Sequence, residues 1–405
     1  MKKILTISVM ALALLAVASC NRTKKPQLPE DYGLSGDTLA YAAERMQSYI
    51  DDGKFAGISV MVIKDGAVIQ DKQFGYANLE DSIPLNENNI FRIFSMTKPV
   101  TAVALMTLFD QGKFALDDKV SDYIPEFEYV MVYSPSEATH YLAFQENEMT
   151  IRNLLTHTSG ITYGWERGSF VDSLYNAWGV TSWDKPIGET VKKLSELPLK
   201  FQPGTRWEYG LSLDVAGYLV EVLSGMPLDR YMAEKIFVPL KMNNTGFFIP
   251  EEKHSLASSV YRRDSDKKLV NYMRPGGTDP FLEPTVHFSG GGGLVSTIGD
   301  YARFCQMLVN GGELEGARVL QPETVKLIMT DQLPEGAKYT DEAGYGLGGS
   351  VDLHTGAYGW AGAASTMFSI DPANKMITIA FAQMMPSDYS YASEYIEIVR
   401  KALND

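Results

Sequence analysis

The ten residues from Val100 to Phe109 leave a helix apolar nearly all the way round, and this run constrains the fold more than any other stretch. A helix without a polar face is buried, so the rest of the chain must wrap it. The helix spans Thr97 to Asp110 and is closed by Gly112. Ser95 and Lys98 stand at its start, three residues apart, and that spacing puts them on one face. Burial disfavours the charge on a lysine, and a neutral amine can take a proton from a neighbouring hydroxyl. Ser95 is thereby a candidate nucleophile. At a helix start its backbone N–H lacks an intrahelical partner, as an oxyanion-stabilising donor must.

Ser-x-x-Lys alone is a weak signal, expected by chance roughly once or twice in a chain of this length. The chain holds two further copies: Ser182 with Lys185 in a loop containing Trp and Pro, and Ser265 with Lys268 in a charged run. Neither opens a buried helix, and context singles out Ser95 and Lys98. The structural alternative is a plain serine beside a lysine that snorkels to water.

The 405 residues are 45% hydrophobic, enough for a large core, and carry a formal charge of −14. That balance, with no local Lys/Arg cluster against it, excludes a nucleic-acid surface. The five histidines, His140, His157, His254, His287 and His354, are scattered with none at i,i+4 spacing. No metal site is expected from them. His157 has nothing nearby in sequence to orient it as a base and reads as structural. Cys305 reads as a buried helix residue.

At the N-terminus, Lys2 and Lys3 precede an apolar run from Ile4 to Ala18, too short to span a bilayer comfortably. The run ends in Leu15-Ala-Val-Ala-Ser-Cys20, which resembles a bacterial lipobox. Residues 1–19 are therefore expected to be a lipoprotein signal peptide, Cys20 the lipidated residue and 20–34 a tether. The expected location is a bacterial cell envelope, with the protein held to the membrane through Cys20.

From residue 35 the pattern predicts a helix to Asp52 with Leu39, Ala42, Met46 and Ile50 on one face. A hairpin of 57–63 and 67–74 follows, turned at Asp65-Gly66. Further helices are expected over 213–224, 298–308 and 391–402, and strands over 344–351, 365–370 and 376–383. Ser289-Gly-Gly-Gly-Gly-Leu294 lacks the Lys and Ser/Thr of a phosphate loop and reads as a tight loop before a helix. Strands near both ends with helices between them predict an α/β protein of the α+β type. One antiparallel sheet, drawn from about 35–95 and 340–405, is flanked by helices, and a mainly helical region of about 96–339 is inserted.

Five motifs occur in order: Ser95-Met-Thr-Lys98, Leu155-Thr-His-Thr-Ser-Gly160, Gln202-Pro-Gly-Thr205 before Tyr209, Ser289-Gly-Gly-Gly-Gly-Leu294, and Tyr358-Gly-Trp-Ala-Gly-Ala363. Together they resemble the penicillin-recognising serine hydrolases, specifically the class C β-lactamase-like esterases of family VIII, over about 38–385. The resemblance implies a β-lactamase/transpeptidase-like fold with an all-α subdomain. It implies Ser95 as acylated nucleophile, Lys98 as its activating partner, Tyr209 as the proton-shuttling phenol, and the backbone N–H groups of Ser95 and Ala363 as oxyanion hole.

Two departures bear on substrate. Tyr209-Gly-Leu211 stands where β-lactamases carry Tyr-x-Asn, and Trp360-Ala-Gly362 where they carry Lys-Thr-Gly. Trp360, Gly362 and Leu211 are accordingly expected at the substrate, and an indole cannot pair with a β-lactam carboxylate as a lysine does. Gly210 and Ser365 are smaller departures, since the family often has serine and glycine there. The expectation is an acyl-enzyme hydrolase of small carboxylic esters without metal or organic cofactor. A β-lactamase or D-alanyl-D-alanine peptidase is the nearest alternative, and a non-catalytic module binding cell-wall fragments the next.

Overall fold

A computed structural model describes residues 28–135, 140–272 and 279–403. The expected signal peptide and Cys20 lie outside them. Strands β1 (Gly57–Lys64), β2 (Ala67–Asn78) and β3 (Ile83–Pro84) join β4 (Ala343–Tyr345), β5 (Ser350–Asp352), β6 (Tyr358–Gly362), β7 (Thr366–Asp371) and β8 (Met376–Phe381). They form one eight-stranded antiparallel sheet in the order β4-β5-β6-β7-β8-β1-β2-β3. The two ends of the chain meet at β1 and β8, where Val60 faces Ala380 and Val62 faces Thr378.

The β1–β2 turn is set by Asp65 (φ 51°) and Gly66 (φ 80°). Two successive positive φ angles suit the right-handed twist of a hairpin. Strand β1 is apolar along most of its length because both faces are covered. On one face Ile58, Val60 and Val62 meet the helices α1 (Gly36–Asp51) and α5 (Ser390–Lys401), through Leu39, Met46, Tyr391 and Tyr395. On the other, Met61 and Ile63 join the main core with Met96, Val100 and Phe381.

The apolar run forms α2 (Thr97–Asp110), buried from Thr97 through Leu108. It packs on α3 (Ser212–Ser224), capped by Gly225 at φ 70°, and the mainly helical region surrounds both. Helix α4 (Ile298–Val309) places Cys305, fully buried, against this core.

One expectation is corrected. The span 344–351 is not a single strand but the β4–β5 hairpin, because Gly346-Leu-Gly-Gly349 turns the chain. At that turn Gly348 (φ 78°) comes so close to α2 that a Cβ would lie 2.8 Å from Lys98 O. The hairpin therefore abuts the start of the buried helix.

Candidate active site

Ser95 sits in a 3₁₀ turn, Phe94–Met96, that runs directly into α2. The preceding Phe94 has φ 41°. A bulky residue in that region is strained, and such strain persists only where its surroundings hold it. Here Ile93 N–H donates to Leu294 O (3.1 Å) and Phe91–Arg92 pairs with Val295–Ser296, so the turn is held by the segment after the glycine loop.

Lys98 is completely buried. Its Nζ donates to Ser95 Oγ (3.2 Å), Tyr163 OH (3.1 Å) and Gly291 O (2.7 Å), and it lies 4.5 Å from the Tyr209 ring centre. Tyr209, just before α3, donates its hydroxyl to Ser95 Oγ at 2.7 Å. Ser95 Oγ is thus held between an amine and a phenol, the arrangement a serine nucleophile needs for removal and return of its proton.

Trp207 stacks on Tyr209 (6.0 Å between ring centres, 14°), and Trp165 stacks on Tyr163 (4.4 Å, 11°). Burial, then the neighbouring Tyr209 and Asp214, push the Tyr163 phenol well above its ordinary range. It therefore stays a neutral hydroxyl beside Lys98.

Ala363 reaches the same cleft because β6 runs tight against the Ser95 turn. A Cβ on Gly362 would overlap Ile93 O, so only glycine allows that approach. Strand β6 pairs with β5 only at Tyr358 and Gly359, which leaves Trp360 to Gly362 as a free edge on that side. Trp360 packs on Tyr345 (5.2 Å), Tyr209 (5.7 Å) and Tyr339 (6.1 Å).

The cleft has a volume of about 660 Å³, and its wall includes Ser95, Trp165, Tyr209, Tyr339, Trp360 and Ala363. The charged side chains on its wall are Asp352 and Arg400.

The expected site residues are therefore not all together. Ser95, Lys98, Tyr209, Ala363, Trp360 and Gly362 converge. Leu211 does not: it caps the start of α3 with its side chain in the main core, 6% exposed, and a core position has no substrate to touch. Gly210 is explained by Ile161 O, which a Cβ there would overlap. Ser365 takes the left-handed conformation (φ 69°) that glycine would favour. Its hydroxyl offsets this by donating to Met384 O (3.0 Å) and accepting from Asp388 N–H (2.9 Å).

His157 is fully buried, with Nδ1 accepting from Gly210 N–H (3.4 Å) and its ring 4.9 Å from that of Tyr209. The other two Ser-x-x-Lys copies are exposed.

No motif places Tyr163 or Asp214 at the site, and Ser289 and Gly291 stand in the sequence only as part of the glycine motif. Asp214 was the most legible of them, an acid in the first turn of a mainly apolar helix. The glycine run is not merely a tight loop but a spacer between α2 and α3. A Cβ on Gly290 would overlap Leu213 O, and Gly290 O accepts from Thr101 Oγ1 at 2.7 Å. Among the described residues no group of three or more His, Cys, Asp or Glu could hold a metal ion.

The family model described as beta-lactamase matches residues 42–401. The chain is 30% identical to esterase EstB of Burkholderia gladioli, over 85% of this chain and 90% of the relative. It is 27% identical to a putative D-alanyl-D-alanine carboxypeptidase of Escherichia coli, over 92% and 89% respectively. The solved structure of EstCE1, titled a hydrolase with promiscuous acyltransferase activity, superposes with a TM-score of 0.74 at 24% identity, covering 91% of this chain and 99% of the other. The chain belongs to the beta-lactamase family of serine hydrolases, with esterase and peptidase homologues among its relatives.

Proposed function

We propose that the protein hydrolyses carboxylic esters of small acyl groups through an acyl-enzyme on Ser95. The observation that carries this reading is the bonding of Ser95 Oγ to both Lys98 and Tyr209 beside Trp360, the residue that the motif resemblance aligns with the cation of a lactamase.

In acylation Lys98, once it has given up a proton, accepts the Ser95 proton in place of donating to Oγ, while Oγ adds to the ester carbonyl. The oxyanion is received by the backbone N–H groups of Ser95 and Ala363. When the tetrahedral intermediate collapses, the Tyr209 hydroxyl protonates the departing alkoxide, and the proton held on Lys98 restores the phenol. Water repeats the sequence on the acyl-enzyme and releases the acid. Removing such proton-transfer groups costs about 10²–10⁴-fold in rate.

The esterase name of the Burkholderia relative supports ester chemistry. So does the cleft wall, which offers aromatic surface to an acyl or alcohol group.

The test is kcat/KM for a short-chain nitrophenyl ester against a chromogenic cephalosporin. The ester should be preferred by about 10²-fold or more, the scale set by a missing charge-assisted contact. Preference for the cephalosporin would replace the esterase reading with a lactamase or peptidase. Turnover of neither ester, amide nor lactam would favour a binding module.

A further inference from the structure

Asp214 is 1% exposed and lies in the first turn of α3. A buried carboxylate is costly unless something offsets it, and the mechanism above does not use it. Its Oδ1 accepts from Ser289 Oγ (2.5 Å) and from Gly291 N–H (3.1 Å), while its Oδ2 has no hydrogen-bond partner among the described residues. Both Oδ1 contacts are donors to it, so Asp214 acts purely as an acceptor.

Ser289 Oγ, while donating to Asp214, accepts from Gly292 N–H at 3.1 Å. Gly292 N–H and Gly291 C=O belong to the same planar peptide unit. The carbonyl end of that unit accepts from Lys98 Nζ at 2.7 Å. The bonds thus run in one direction: Lys98 to Gly291 O, Gly292 N–H to Ser289 Oγ, and Ser289 hydroxyl to Asp214. Each donor–acceptor step polarises the next. Gly291 cannot be replaced, because a Cβ would overlap Asp214 Oδ2 and lie 3.1 Å from Tyr163 OH.

We propose that Asp214 and Ser289 form a relay through the Gly291–Gly292 peptide that holds Lys98 against Ser95 and favours its protonated state as the Ser95 proton arrives. They are positioning residues, since neither is placed against the substrate. The titratable groups facing Lys98 are the phenols of Tyr209 and Tyr163, buried His157, and Asp214 itself. Burial holds the phenol of Tyr163 and the imidazole of His157 neutral, and Asp214 is the one carboxyl group named in this set. This inference rests on the reading of Lys98 as the proton acceptor.

The experiment compares full-length parent, Asp214→Asn, Ser289→Ala and Lys98→Ala with a nitrophenyl ester, measuring kcat and KM from pH 5 to 10. Asparagine keeps the Oδ1 acceptor, removes the charge and puts an NH2 in place of the unpartnered Oδ2. With that charge gone, the acidic limb of kcat/KM should move to lower pH than in the parent. Ser289→Ala breaks the relay at its middle and should lower kcat about 10-fold, with KM within about threefold of the parent. It also covers the case in which Asp214→Asn fails to fold. Lys98→Ala should lose activity throughout. If Lys98→Ala is inactive while folded Asp214→Asn keeps the parental pH limb, or Ser289→Ala keeps the parental kcat, the relay is wrong and the esterase reading stands. If Lys98→Ala keeps parental activity, Lys98 is not the base and both fall.

Discussion

At the residue scale, a few positions explain why the site holds its shape. His157 is one. Burial first, then the charge of Lys98, holds its imidazole well below the usual range. The folded protein keeps it neutral, whereas the unfolded chain binds a proton near pH 6.5. Stability should therefore be unaffected above that pH and fall as pH drops below it, by up to about 1.4 kcal/mol per unit. Carboxylates held low in the folded state, such as Glu315 at about 2 beside Arg303 and Lys241, act only below their own unfolded values. In the window from pH 6.5 to 5, Asp71, Glu221 and Asp300, whose carboxyl pKa values burial raises, push the profile the opposite way, so it is the comparison with His157→Gln that isolates the histidine. Thermal melts over that window should show Tm falling in the parent and a flatter profile in His157→Gln; equal slopes would mean the proton goes elsewhere. Ser95, Lys98 and Tyr209 were legible because motif order and a buried helix point to them. Leu211 was misplaced because the residue pattern shows that it departs from the family but not which way its side chain turns. Tyr163 carried no signal beyond being an aromatic in a loop.

At the element scale, the helices and hairpins were legible from period and turn chemistry. Helix α2 begins and ends at Thr97 and Asp110 as the apolar run predicts. The β4–β5 hairpin was not legible as two strands, since Gly346 to Gly349 sit within an otherwise strand-like pattern and each strand is only three residues long. What sequence could not convey is the docking of β6 against the Ser95 turn, a contact between segments about 270 residues apart that depends on Gly362 having no side chain. Gly362→Ala should push the strand away from Ile93. The expected result is a stability loss of about 1–3 kcal/mol from overpacking and a kcat/KM loss of about 10²-fold from the misplaced donor of Ala363. Denaturant melts and ester kinetics on the same preparation check it; parental kinetics would show that β6 does not need to sit so close.

At the scale of the whole molecule, the sheet drawn from both ends of the chain was predictable, because strands cluster there and an antiparallel ladder joins them at β1 and β8. The helical region then closes over α2 and brings Tyr163, Tyr209 and the glycine loop to one buried lysine. Such long-range convergence cannot be read from spacing, so the candidate site was legible as motifs and not as a bonded network. Catalysis of this kind passes through an acyl-enzyme on Ser95. Its most direct measurement is mass spectrometry of the protein quenched during turnover of a slow nitrophenyl ester, with peptide mapping, in the parent and in Ser95→Ala. The parent should carry one added acyl group on the peptide containing Ser95. Neither adduct nor hydrolysis is expected in a Ser95→Ala protein that melts within a few degrees of the parent, as for a substitution of about 0.5 kcal/mol. An acyl group on another serine, or undiminished hydrolysis by folded Ser95→Ala, would contradict it.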